Sequence, residues 1–158
     1  MKTSLLALLS LVLSAAPAMA SVPSDFAGID TVAPAGPVTS AVASVNLHGT
    51  VEFQAGMNYR PGPEFNLTVN EGETSVLTVT YRGEPLVTEY RITGAPATDR
   101  AGQPTWQLHV VRQDLVGDRE VAAPQVGDIS LRPQQAISLL SKGAYRGQPR
   151  NLRLTLTY

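Results

Sequence analysis

The chain has 158 residues, 43% hydrophobic, 6% aromatic and 16% charged, enough for one domain with its own core and short for two. Its 12 basic and 13 acidic residues leave a formal net charge of −1, which argues against a strongly basic nucleic-acid binder. It has no cysteine and two histidines, so disulfides, thiolate zinc sites and a thiol nucleophile are excluded, and most His-based metal centres with them.

Residues 1–20 read as a secretory signal peptide. Lys2 supplies the positive start, Leu5 to Leu13 an apolar run, Pro17 a helix break, and Ala18-Met19-Ala20 the small residues that a signal peptidase reads. Cleavage is expected after Ala20. The apolar run is too short to cross a bilayer and no later stretch is longer, so no integral membrane span is expected. The expected product, residues 21–158, is exported to a bacterial periplasm or exterior, where a cysteine-free chain must rely on its core alone.

Residues 21–38 follow, with Pro23, Pro34, Pro37, Gly28 and Gly36 among small side chains. This is the composition of a mobile N-terminal linker; its functional reading is a donor or docking arm. From about Thr39 the pattern changes to short runs of alternating apolar and polar residues. Leu47, Gly49, Val51 and Phe53 share one face, with His48, Thr50 and Glu52 on the other. Phe65-Leu67-Val69, Leu77-Val79-Tyr81, Leu86-Thr88-Tyr90-Ile92, Trp106-Leu108-Val110 and Leu152-Leu154-Leu156-Tyr158 repeat the pattern, and Ile129 with Leu131 forms a stub. Successive side chains of a strand point to opposite faces, so each run reads as a half-buried strand. Turn residues separate them, among them Pro61-Gly62-Pro63, Asn70 to Glu73, Arg82 to Pro85, Asp99 to Gly102 and Gly147 to Pro149. Residues 134–142 fit either a helix between Pro133 and Gly143 or a strand with Ile137 and Leu139 inward; the strand is slightly favoured. About seven to eight short antiparallel strands over residues 39–158 predict an all-β sandwich. Its expected core is Leu47, Val51, Phe53, Phe65, Leu67, Val69, Leu77, Val79, Tyr81, Tyr90, Ile92, Trp106, Leu108, Val110, Leu131, Leu152, Leu154 and Leu156.

Chemistry is sparse along the chain. His48 and His109 both fall on polar strand faces, and no G-x-S-x-G elbow accompanies them. His48 and Glu52 share a face but stand roughly 13 Å apart along a strand, too far for one metal ion. Glu71 and Glu73 fall in a turn, where solvated acids are ordinary. No glycine-rich phosphate loop is present. No catalytic, cofactor-binding or metal-binding residue is assigned, no cofactor is expected, and the chain is read as a non-enzyme.

The run from Leu67 to Val79 resembles the opening of the BsuPI-like bacterial proteinase-inhibitor domain, a strand ending in Asn, a polar turn and a strand of alternating Leu and Val. Tyr90-Arg91-Ile92 resembles that family's aromatic strand, and Gly102-Gln103-Pro104-Thr105-Trp106 its Gly-turn leading to Trp. Leu131-Arg132-Pro133 is similar to its Leu-x-Pro turn, and Gly143-Ala144-Tyr145 to its entry into the last strand. The resemblance covers about residues 65–158 and implies an Ig-like sandwich that binds protein. Gln134 stands where the family has Gly, and Arg146 to Arg150 intervene before the last strand, so no inhibitory residue carries over.

These readings combine into an exported, non-catalytic, Ig-like antiparallel β-sandwich that acts by protein contacts, as a proteinase-inhibitor-like domain whose partner is a secreted protease or an envelope protein. The candidate contact loops are Tyr59-Arg60-Pro61-Gly62-Pro63-Glu64 and Pro96-Ala97-Thr98-Asp99-Arg100, because loops carry recognition on such scaffolds and prolines reduce the entropy lost on binding. The alternatives are a structural envelope or surface subunit that assembles by β-strand pairing, and a small outer-membrane β-barrel ending in the strand at Tyr158.

Overall fold

A computed structural model describes residues 29–35 and 43–158. The expected signal peptide, its cleavage point, and residues 21–28 and 36–38 of the expected linker lie outside the described residues. In chain order the strands are β1 Ile29–Ala35, β2 Ser44–Ala55, β3 Asn58–Arg60, β4 Glu64–Asn70, β5 Thr74–Tyr81, β6 Leu86–Thr98 and β7 Pro104–Val116. After them come β8 Arg119–Glu120, β9 Gln125–Leu131, β10 Ile137–Ser141, β11 Ala144–Tyr145, β12 Gln148–Pro149 and β13 Leu152–Thr157.

Two antiparallel sheets face each other. The first runs β1-β5-β6-β7, and both β8 and β9 lie along the far side of β7; the second runs β10-β13-β2, and both β3 and β4 lie along the far side of β2. The sheets are open and retain edges, so the expectation of a barrel, which needs one closed sheet, is set aside. β11 and β12 form a small separate hairpin. No helix long and apolar enough to cross a membrane occurs among the described residues. The segment open to two readings, 134–142, contains strand β10 and places Ile137 and Leu139 half-inward.

Alternation decides which side chains meet between the sheets. Every expected core residue is buried except Phe53, which is half-buried, and Val45 and Leu86 join the core. Gly49 holds an inward position on β2 where a side chain has no room: a Cβ there would lie 2.1 Å from the Thr155 carbonyl oxygen and 2.6 Å from the Phe65 ring. Phe65 is Gly49's cross-strand partner, so its ring fills the space that the glycine leaves.

The expected linker is corrected in part. Residues 29–35 form β1, paired with β5 from Ile29 opposite Tyr81 to Ala35 opposite Val76. Pro34 is compatible with this because β1 is an edge strand, where a missing N–H need cost no ladder bond.

Candidate protein-contact site

Neither candidate loop is a free protrusion over its whole length. Tyr59 and Arg60 belong to β3, and Pro61-Gly62-Pro63 fills a break between β3 and β4 along the edge of β2, where Val51 N–H donates to the Pro63 carbonyl at 3.3 Å. The Arg153 guanidinium lies 4.9 Å from the Tyr59 ring centre and pairs with Glu52. The hydrogen bond from Arg153 holds the Glu52 carboxyl below its ordinary value. Pro96 is within β6, opposite Trp106.

Asp99 organises the β6–β7 hairpin. Its carboxylate accepts the Ala101 and Gln103 N–H groups at 2.8 and 2.9 Å and pairs with Arg132 at 2.7 Å. The Gln103 N–H first, and the Ala101 N–H and Arg132 after it, hold this carboxyl below its ordinary value. Gly102 N–H donates to the Asp99 carbonyl at 3.0 Å, which closes a tight turn with Arg100 exposed at its tip.

The two loops lie at opposite ends of the molecule. Tyr59 is opposite Gln54, which shares a cavity of about 280 Å³ with Glu84, just before β6 begins. Asp99 follows the far end of β6, 13 residues or roughly 40 Å on. The structure therefore does not bring these residues into one surface. The histidines are equally separate: His48 pairs with Asn66 on the second sheet, and His109 pairs with Asp128 at 2.7 Å on the first. Among the described residues no group of three His, Cys, Asp or Glu side chains is placed to hold a metal ion.

The interior holds a polar cluster that the sequence reading missed. Arg112 and Asp114, 2% and 3% exposed, form a two-bond ion pair between the sheets. Arg112 also donates to Ser141 Oγ at 2.9 Å and to the Arg150 carbonyl at 2.8 Å. Thr88 donates to Asp114 at 2.6 Å, which leaves the Tyr81 hydroxyl to donate to Thr88 at 3.0 Å. Ser141 donates to the Leu152 carbonyl, so Tyr90 donates to Ser141 at 2.8 Å. Burial raises both tyrosine hydroxyls above their ordinary value, Tyr90 the further. The signal for this cluster was the parity of β7. Trp106, Leu108 and Val110 point inward, and the next two residues of that parity are Arg112 and Asp114.

No family model, curated protein or solved structure matches this chain. Leu67 to Val79 span the β4–β5 hairpin, Tyr90 and Ile92 point inward on β6 with Arg91 exposed between them, Trp106 is buried on β7, and Pro133 and Gly143 lie in the connections on either side of β10.

The remaining feature is a seam. Both β9 and β10 are edge strands, one from each sheet, and they stand on the same side of the sandwich. At one end the seam is tied by Gln125, whose side-chain amide donates to the Lys142 carbonyl and accepts the Lys142 N–H at 3.0 Å. Beyond that tie is a cleft of about 140 Å³ with Tyr90, Val110, Leu139 and the buried Arg112 in its walls. Val126 and Leu140 flank it, 60% and 67% exposed, among the few large apolar side chains that the described residues leave in water. Gly127 adds to the opening, because the Leu139 side chain is its nearest neighbour across the gap.

Proposed function

We propose that this chain is an exported, non-catalytic β-sandwich that acts by protein contacts made along the β9–β10 seam. Export rests on Lys2, the Leu5–Leu13 run and Ala18-Met19-Ala20. The observation that carries the contact reading is the pair Val126 and Leu140, exposed on either side of a cleft between two edge strands. Exposed apolar groups beside an open cleft are where burial by a partner gains most.

The inhibitor reading is supported by the motif resemblance. The Asp99 hairpin does not add to it. A protease cleft takes an extended segment, whereas Arg100 is in a turn closed by its own hydrogen bond. The envelope-subunit reading has an observation in its favour, the unpaired outer edge of β10.

Titration of residues 21–158 against a panel of secreted serine proteases, with Leu140→Glu and Arg100→Ala beside the unaltered chain, separates these readings. Stoichiometric inhibition lost in Leu140→Glu supports inhibition through the seam. Inhibition lost in Arg100→Ala alone moves the contact to the hairpin and overturns the seam assignment. No inhibition, with concentration-dependent self-association lost in Leu140→Glu, supports the subunit reading. A chain that inhibits nothing and remains monomeric overturns both.

A further inference from the structure

We propose that the cleft beside Leu140 is a socket for a tyrosine side chain presented by the protein partner. This rests on reading the seam as the contact face, and it names what the partner inserts there.

The first argument is the polar part of the cleft wall. A guanidinium carries five N–H groups. In Arg112, 2% exposed, Nε and one Nη2 hydrogen go to Asp114, the other Nη2 hydrogen to the Arg150 carbonyl, and one Nη1 hydrogen to Ser141 Oγ at 2.9 Å. The second Nη1 hydrogen has no acceptor among the described residues. Tyr90, 1% exposed, donates its hydroxyl to the same Ser141 oxygen at 2.8 Å, and its own oxygen accepts from no described residue. Two bonds to one oxygen hold Nη1 and the Tyr90 oxygen close together, and both residues stand in the cleft wall. The wall therefore offers a donor and an acceptor side by side, which is the complement of a hydroxyl group.

The second argument is what other groups would leave undone. A buried N–H of a charged group is costly without an acceptor, so a suitable occupant brings an oxygen. A carboxylate brings one, but it sets a second negative charge beside Asp114 and has no hydrogen for Tyr90. A carbonyl serves Arg112 and leaves the Tyr90 oxygen unpaired. A hydroxyl serves both, and the Arg112–Asp114 pair stays balanced.

The third argument is size. The cleft holds about 140 Å³, close to the roughly 150 Å³ of an apolar cavity that accepts one benzene ring. Val110, Val126, Leu139 and Leu140 make the rest of its wall largely apolar. Serine and threonine bring a hydroxyl without a ring, and phenylalanine a ring without a hydroxyl. Tyrosine brings both, and it buries a large rigid surface at low entropic cost. Gly127 leaves room for it: a Cβ there would stand 3.4 Å from the Leu139 side chain, so a longer side chain would fill the gap.

The test is a titration of residues 21–158 with N-acetyl-tyrosine amide, N-acetyl-phenylalanine amide and p-cresol, followed by NMR at the Val126, Leu139 and Leu140 methyl groups. The tyrosine amide and p-cresol are expected to bind in the millimolar range. The phenylalanine amide is expected to bind at least about tenfold more weakly, because it leaves the Arg112 hydrogen and the Tyr90 oxygen unpaired. Gly127→Val is expected to abolish binding of all three with an unchanged circular dichroism spectrum. Tyr90→Phe removes the acceptor, and is expected to shrink the preference for the tyrosine amide while phenylalanine amide binding persists. Equal binding of the two amides by the unaltered chain overturns the proposal, since the hydroxyl is then not read. So do shifts that persist in Gly127→Val, and so does p-cresol binding without the tyrosine amide, which makes the cleft a site for a free phenol. If neither amide binds while Leu140→Glu still loses inhibition or self-association, the seam reading survives and the tyrosine socket alone falls.

Discussion

Arg112 and Asp114 meet between the sheets through two parallel bonds, Nε to Oδ1 and Nη2 to Oδ2, both at 3.0 Å. Two residues apart on one strand, they share the inward face of β7. Each spends its remaining capacity on neighbours, Asp114 on Thr88 and Arg112 on Ser141 and the Arg150 carbonyl. A buried pair satisfied in this way is costly to break from one side, because the survivor is left charged in a dry interior. Asp114→Ala is therefore expected to lower the unfolding free energy by about 3–5 kcal/mol. Replacing both partners by apolar residues, Arg112→Met with Asp114→Leu, is expected to cost much less. Urea unfolding of the three chains checks this. A loss below about 1 kcal/mol for Asp114→Ala would mean that water reaches Arg112 through the adjoining cleft.

Gly49 supports the second prediction. Its Cα hydrogen faces the Phe65 ring and the Thr155 carbonyl at distances that no Cβ tolerates, and both neighbours are fixed by strand pairing. Gly49→Ala is therefore expected to destabilise by about 1–3 kcal/mol, as overpacking does, although alanine suits a strand better than glycine. Adding Phe65→Leu to that variant is expected to recover part of the loss. Thermal unfolding of the single and double variants decides it, and two additive losses would show that the ring is not what the new methyl group strikes.

Period-two alternation made most of this fold legible, since each run carried its inward set in register with the next. What was not legible has physical reasons. Arg112 and Asp114 obey the parity of β7, but a rule that looks for apolar residues stops at Val110; only pairing makes a charged couple acceptable inside. Pro61-Gly62-Pro63 reads as a chain reversal, yet it spans a break along one sheet edge, because β2 is long enough to carry β3 and β4 in succession. Residues 29–35 read as linker because proline usually marks one, and an edge position removes that objection. The seam is invisible to alternation. Leu140 and Val126 fall on outward positions like many others, and only the placing of β9 and β10 at neighbouring edges sets them beside one cleft.

The buried tyrosines predict an alkaline limit. Burial raises the Tyr81 and Tyr90 hydroxyls above the value of about 10 that they have in an unfolded chain. Above that pH the unfolded chain gives up protons that the folded chain retains, so stability falls as pH rises. The stability associated with these protons is fully present below about pH 10 and is lost above it. Phenolate absorbance on titration should show a late part, from Tyr81 and Tyr90, coincident with loss of strand signal. Tyr90→Phe keeps the ring, removes the hydroxyl donated to Ser141, and is expected to shrink the late part. A single smooth titration with the fold intact would show that both hydroxyls reach solvent.

β1 supplies the last prediction. It covers the edge of β5 from Tyr81 to Val76, and β5 carries the core residues Leu77 and Val79 on an alternating, uncharged strand. Removing β1 leaves that edge with unpaired main-chain groups and none of the proline or irregular register that blunts β1 itself. A chain beginning at residue 36 is therefore expected to melt several degrees lower than residues 21–158 and to self-associate through the bared β5 edge. Sedimentation and thermal unfolding of the two chains measure this. If shortening leaves both melting temperature and association unchanged, the β1–β5 ladder contributes nothing to the folded domain, and β5 would be the true edge of its sheet.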